Sequence, residues 1–271
     1  MAQIHSTAVV AASARIASDV EIGPFCVVGP DVELGEGVKL LSHVAVEGRT
    51  RVGPRTKIFP FAAIGLQPQD LKYKGEPSEL VIGSDCLIRE HVTVNTGTEG
   101  GGMLTSIGDR VLLAIGSHVA HDCHLGHNCL VMNHVLLGGH VQLGDFSVLG
   151  GGSAVHQFVR IGKHAMIGGL SGVENDVIPY GTVMGNRARL EGLNVVGMKR
   201  RGFTRDDIHA LRAAYRLLFS DKGVLQERID EAAATWPEAA PVVEVVEFLR
   251  ASSSRAICLP AAPPPAADDE S

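Results

Sequence analysis

A mainly β fold is predicted for this 271-residue chain: a parallel β-helix of hexapeptide repeats followed by a small C-terminal α-helical domain. Three observations predict it. An aliphatic residue recurs at every sixth position, from Ile4, Val10, Ile16, Ile22, Val28 and Leu34 through to Ile64. The next residue is often glycine, as at Gly23, Gly29, Gly35, Gly126, Gly138 and Gly144, and a small or β-branched residue usually stands four places after the aliphatic one. Neither the helical period nor plain strand alternation gives this pattern. A hexapeptide repeat does, and it is a signature of the parallel β-helix.

Each hexad makes a short strand and a corner, so three faces close a coil of about 18 residues, with coils stacked at about the 4.8 Å strand spacing. The aliphatic residue points into the prism, and the glycine after it is expected to serve the tight corner. Residues 4 to 64 read as unbroken scaffold coils, with His5 and His43 exposed or locally bonded. The first break runs from Leu66 to Pro77, and the phase returns at Ile82, Ile88 and Val94. Its prolines and charges mark a surface excursion, a frequent seat of function on a rigid scaffold. The second break, Asn95 to Met103, shifts the phase by one residue. No Gly-Lys-Ser/Thr follows its glycines, so a flexible loop is expected rather than a phosphate-binding P-loop. Coils then run from Ile107 to Val173, and Ile178-Pro179-Tyr180-Gly181 ends the register.

A connector from Asn186 carries Lys199-Arg200-Arg201. Thr204, with Asp207 three places on, predicts a capped helix start, and Ile208, Leu211, Ala214, Tyr215 and Leu218 give its apolar stripe. Further helices are expected over 224–234 and 242–251. The resulting organisation is a β-helix over 1–185, a helical domain over 186–252 and a disordered Pro/Ala-rich acidic tail over 253–271. The helical domain is too small to bury much core alone and is expected to pack on the prism or on a neighbouring subunit.

A net charge of −6 argues against general nucleic-acid binding. No apolar run approaches the roughly 20 residues needed to cross a membrane, and the N-terminus lacks the charged start and apolar core of a signal peptide. The cysteines (Cys26, Cys86, Cys123, Cys129, Cys258) are scattered and odd in number, as expected of reduced thiols in a cytoplasmic protein. Cys123 lies beside histidines, where it reads as a small core residue or as a nucleophile or ligand.

Stacking at the coil period predicts a site. His121, Gly139 and Gln157 fall in one column; Asp122, His140 and Phe158 fall in the next. His156 flanks Gln157, and His118 is expected at the corner leading into the His121 face. An imidazole can take a proton from a hydroxyl. Asp122 can orient it, provided the backbone bends, since adjacent strand residues point oppositely. The N–H of Gly139 can meet an oxyanion. No serine-nucleophile elbow is present, which favours direct attack by the substrate. The rival is a zinc site drawn from His118, His121, His124, His127, His134 and His140, although alternation and corners disperse those side chains.

Longer strings carry a resemblance. Gln69-Asp70-Leu71-Lys72-Tyr73, Gly75-Glu76-Pro77, Ala120-His121-Asp122-Cys123, Ala154-Val155-His156-Gln157-Phe158, Gly185-Asn186 and Met198-Lys199-Arg200-Arg201-Gly202-Phe203 resemble the UDP-N-acetylglucosamine O-acyltransferases of lipid A biosynthesis, from the first coil to about residue 250. The resemblance implies a left-handed winding. It implies transfer of a (3R)-3-hydroxyacyl chain from acyl carrier protein to the 3-hydroxyl of UDP-N-acetylglucosamine, in a homotrimer with sites between subunits and without cofactor or metal. It implies His121 as general base, Asp122 as its partner and Gly139 as oxyanion donor. Asp70, Lys72, His118, His140, His156 and Gln157 would be substrate contacts, with Asn194, Arg200 and Arg201 near the nucleotide. Gly169 would set acyl-chain length. A basic run suits a diphosphate and an acidic carrier protein. Val196 and Arg187 depart from the family pattern, where some members carry Glu and His. Three other readings are a γ-carbonic-anhydrase-like zinc hydratase, a solenoid without chemistry, and the N-acyltransferase of the same pathway. That last enzyme carries a domain ahead of the repeat, whereas here coils begin at Ile4.

Overall fold

The structure, a computed structural model, describes residues 1–263. The chain winds as a left-handed parallel β-helix with a helical C-terminal part. Its three faces are sheets of 11, 9 and 8 strands, visited in turn and parallel throughout except for the last strand of the first. The register matches the hexad count: Ile4 pairs with Ile22, Val10 with Val28 and Ile16 with Leu34. Both breaks leave the stacking intact. Lys57 pairs with Leu87 across the first, and Leu87 with Leu112 across the second.

The aliphatic positions fill the prism: Leu34, Leu40, Ile58, Ile64, Ile88, Leu113, Leu137, Leu149, Ile161 and Ile167 are all fully buried. At about 1.5–3 kcal/mol for each such side chain, these columns hold the coils together. The glycines serve a different purpose from the one expected. A Cβ on Gly23 would lie 2.8 Å from the Leu41 carbonyl oxygen, and one on Gly53 or Gly83 would lie 2.6 Å from the backbone of the next coil. They permit close approach of stacked backbones. The left-handed corner conformation falls to glycines such as Gly37, Gly116 and Gly152 and, more often, to other residues, including Phe25, His43, Phe61, Asp122, His140, Phe158, His164 and Tyr180, all eight with φ between 58° and 67°. Stacking offsets that strain: His43 lies between Phe25 and Phe61, at 4.9 and 5.0 Å between ring centres.

An antiparallel hairpin, Gly181–Met184 with Arg189–Leu193, extends the first sheet across the boundary expected at 185. Four helices follow: α1 (Val195–Arg200), α2 (Arg205–Leu218), α3 (Leu225–Thr235) and α4 (Ala240–Arg250). The Thr204–Asp207 capping box forms as the sequence predicts. The short α1, capped by the Asn194 side chain, was not anticipated. Packing onto the prism is specific. The Arg160 guanidinium sits 4.5 Å from the Phe248 ring centre, and the Tyr180 hydroxyl donates to Glu244 at 2.6 Å.

The expectation of disorder from residue 253 is corrected. The Asp176 N–H donates to the Ala256 carbonyl at 2.8 Å, and the Cys258 N–H donates to the Asp176 carbonyl at 2.7 Å. Cys258 is buried. Composition alone hid this strap, because backbone hydrogen bonds and a single buried thiol anchor it. The rest of the acidic tail, 264–271, lies outside the described residues.

Candidate active site

The two breaks and the histidine cluster share one edge of the prism. Each connects a strand of the second sheet to a strand of the third: Ala63–Leu66 to Glu79–Ile82, Thr93–Asn95 to Leu104–Ile107, and His118–Val119 to His124–Leu125. The loops are stitched together. The Ser78 hydroxyl meets the Thr96 hydroxyl at 3.0 Å, the Gly97 N–H donates to the Glu79 carbonyl, and the Glu99 N–H donates to the Glu76 carboxylate at 3.4 Å. Backbone N–H groups, chiefly that of Lys74, hold the Glu76 carboxyl below its usual range.

At this edge the His121 Nδ1 lies 2.8 Å from the Asp122 Oδ2. Asp122 takes the left-handed conformation, φ 58°, which turns it to the same side as its neighbour. That is the bend the pairing required. The Asp122 side chain is fully buried. The Thr98 N–H donates to Oδ1 at 2.8 Å and the Thr98 hydroxyl to Oδ2 at 2.6 Å. The Asp122 N–H is fixed by the Thr105 hydroxyl at 2.8 Å. A Cβ on Gly101 would overlap the Asp122 carboxylate, so glycine there is a condition of the contact. With Oδ2 accepting from Nδ1–H, the His121 Nε2 is the free base.

The predicted columns are present. The His140 N–H donates to the His121 carbonyl and the Phe158 N–H to the Gly139 carbonyl, each at 3.0 Å. A Cβ on Gly139 would lie 2.5 Å from the His121 Cε1, so the imidazole occupies the space that glycine leaves. The Gly139 N–H has no hydrogen-bond partner among the described residues. His140 stacks on Phe158 at 4.3 Å and meets His121 edge-on at 5.0 Å. Burial lowers the pKa of His140, against the pull of Asp122. The charge of Asp70 also reaches His140. His118 lies within a strand rather than at the corner. Its Nδ1 contacts the Thr93 hydroxyl at 2.7 Å, and burial again lowers its pKa. His156 and Gln157 are exposed one coil above Gly139.

Other expected residues stand apart. Lys72 is exposed on the first loop. Asn194 caps α1 and donates to the His164 carbonyl at 2.9 Å. The Arg201 guanidinium lies 4.9 Å from the Phe146 ring centre, and Arg200 is exposed. These three belong to the corner between the third and first sheets. Gly169 is exposed at the corner between the first and second.

His124 contacts the Ser106 hydroxyl beside the cavity that Asp122 and His140 line, and His127 lies 3.3 Å from Asp109. Burial pushes the Cys123 thiol up to about 12, which removes it as a thiolate nucleophile. Donor atoms of His121, Asp122 and His140 lie within 4.8 Å of one another, the geometry a metal would use. Both Asp122 oxygens are already engaged by Thr98 and His121, so a metal would have to displace those bonds. Sequence reasoning missed Thr98. Its signal was its place in a break at the edge that Asp122 occupies.

Comparison with known proteins identifies the family. Residues 176–258 match the family model "Udp N-acetylglucosamine O-acyltransferase; Domain 2", and residues 13–48 and 104–139 match the bacterial transferase hexapeptide repeat. The chain is 58% identical over 203 residues, 75% of each chain, to an acyl-(acyl-carrier-protein)–UDP-N-acetylglucosamine O-acyltransferase of Methylobacterium radiotolerans. It is 54% identical over 200 residues, 74% of this chain and 76% of the other, to that of Caulobacter vibrioides. The solved UDP-N-acetylglucosamine acyltransferase of Francisella novicida superposes with a TM-score of 0.92 at 35% identity, covering 96% of this chain and 95% of the other. With the repeat, the helical domain and the His–Asp edge all in place, the chain belongs to the acyl-(acyl-carrier-protein)–UDP-N-acetylglucosamine O-acyltransferase family.

Proposed function

We propose that this enzyme moves a (3R)-3-hydroxyacyl chain from acyl carrier protein to the 3-hydroxyl of UDP-N-acetylglucosamine, the first step of lipid A biosynthesis, with His121 as general base. The observation that carries the assignment is the 2.8 Å His121–Asp122 pair beneath the Gly139 N–H. The His121 Nε2 takes the proton of the sugar hydroxyl as its oxygen attacks the thioester carbonyl. The Gly139 N–H stabilises the oxyanion, a contribution worth about 10²–10³ for one donor. When the tetrahedral intermediate collapses, the carbon–sulfur bond breaks and the imidazolium returns the proton to the leaving thiolate. Asp122, held by Thr98, orients the imidazole and stabilises the imidazolium throughout.

Asp70, His118, His140, His156 and Gln157 line or approach the edge where this chemistry takes place, with Lys72 on the first loop. Asn194, Arg200, Arg201 and Gly169 sit at the two other corners of the same prism, so in this reading a homotrimer assembles each site from neighbouring copies. The outer face of the second sheet supports it. That face presents Val9, Val27, Ala45, Ala63, Leu136 and Ala154, whereas the third sheet presents Arg15, Glu33, Arg51 and Gln142. Val9, Val27 and Leu136 are exposed, as is Phe61 on the adjoining corner. An apolar face of this extent marks an interface. No described helix is long and apolar enough to cross a membrane, and a carrier-protein donor suits a cytoplasmic location.

The test is direct. With 3-hydroxyacyl carrier protein and UDP-N-acetylglucosamine, one carrier thiol is expected per 3-O-acylated sugar nucleotide, and sedimentation is expected to give a trimer. No thiol release, or acylation at another atom, overturns the assignment.

A further inference from the structure

We propose that Arg255, on the C-terminal strap, is a positioning residue for acyl transfer: it fixes the tautomer of His156 and holds the backbone at Gln157. The proposal rests on the reading of His156 and Gln157 as substrate contacts. The Arg255 Nη2 lies 2.6 Å from the His156 Nδ1, and its Nε donates to the Gln157 carbonyl at 2.9 Å. A guanidinium can only donate. Nδ1 is therefore an acceptor, and His156 is a neutral ring with its proton on Nε2, available to an acceptor oxygen of the substrate. The Gln157 carbonyl also lies 3.3 Å from Nδ1. With Arg255 as the shared donor, neither acceptor is left without a proton. Only a planar fork serves two acceptors at once in this way.

The strap is anchored where this matters. Asp176, fully buried, pairs with the strap on both sides through its backbone, at Ala256 and Cys258. Its carboxylate accepts from the Arg160 N–H at 2.8 Å and from the Arg160 Nε at 2.7 Å. The stretch from His156 to Arg160 is thus clamped at both ends: by Arg255 directly, and by Arg160 through Asp176. On its other side the strap meets the catalytic edge. Ser252, Ser253 and Ser254 line a cavity of about 330 Å³ together with Gly101, Asp122, His140 and Phe158. The chain's last described segment is therefore a wall of the site.

Arg255→Gln and Arg255→Lys in the full-length enzyme test this. Nitrogen-15 NMR of His156 is expected to show the Nε2–H tautomer in the wild type and a mixture in Arg255→Gln, with the melting temperature preserved. Both variants are expected to lower kcat/KM about tenfold, the lower end for losing a charged hydrogen bond. On a His156→Ala background, Arg255→Gln is expected to cost clearly less than in the wild type, keeping only the part that acts through Gln157. Wild-type tautomer and kcat/KM in Arg255→Gln, beside a costly His156→Ala, overturn the proposal alone, as does full additivity of the two changes. A kinetically silent His156→Ala instead overturns the reading of the site on which the proposal stands. If Arg255→Gln loosens the strap, Arg255→Lys decides by the same tautomer measurement.

Discussion

All three corners of the prism carry histidine stacks built by the same local geometry, and two of them make a useful contrast. At one, His140 stacks on Phe158; at the other, His164 stacks between Phe146 and Tyr180, at 4.8 and 5.2 Å. In both, the ring belongs to a residue in the left-handed conformation. At the second corner the Nδ1 of His164 is buried without a partner among the described residues, and burial, helped by the nearby Arg201 charge, lowers its pKa to about 4. The first corner differs in the ionisable groups around its imidazole, above all in a buried carboxylate and what holds it. Asp122 occupies the corner position one coil below His140, and the second break brings Thr98 to bind its carboxylate. A stacked imidazole is thus a structural device of this fold. In the proposed mechanism, a buried carboxylate with a dedicated clamp turns the neighbouring imidazole into a base.

The largest test of that contrast is His121→Ala, expected to lower kcat at least about a hundredfold, within the range for a general base, with the trimer retained. Near-normal turnover in steady-state assays would erase the distinction between the corners. Thr98→Val keeps the shape and the N–H but removes the hydroxyl from Asp122. A loss of about tenfold in kcat is expected, the scale of one hydrogen bond to a charged group; an unchanged kcat would mean the clamp is incidental. At the third corner, Gly169→Met is expected to move acyl preference toward shorter chains in a competition assay, and an identical profile would detach that corner from the site. The smallest effect on activity belongs to His164→Phe, a residue type that Phe146 already tolerates in this ladder. Turnover should not change, but pH dependence should. Because the folded pKa of His164 lies below its ordinary 6.5, its contribution to stability is complete above pH 6.5. It is lost as acid protonates the unfolded chain, down to about pH 4. Melting curves for His164→Phe should fall less steeply across that window.

The repeat was legible because one aliphatic residue per hexad faces inward and nothing else fits there. The His121–Gly139–Gln157 column was legible for the same reason, since constant coil length converts sequence spacing into height. What the spacing could not show were contacts made by departures from it. Thr98 reaches Asp122 from a loop with no period, and Arg255 reaches His156 from a strap whose composition reads as disorder. The left-handed φ of Asp122 was not legible either, because it depends on stacking between coils rather than on residue type. The glycines were found but misread, since their purpose is approach between coils, not turning.

Both insertions leave the prism at one edge, while Lys57, Leu87 and Leu112 continue to pair on the opposite face as though nothing intervened. The edge is therefore editable. Loop length there can change without moving the other two faces by a single rung, so new substrate contacts can be tried at little thermodynamic risk.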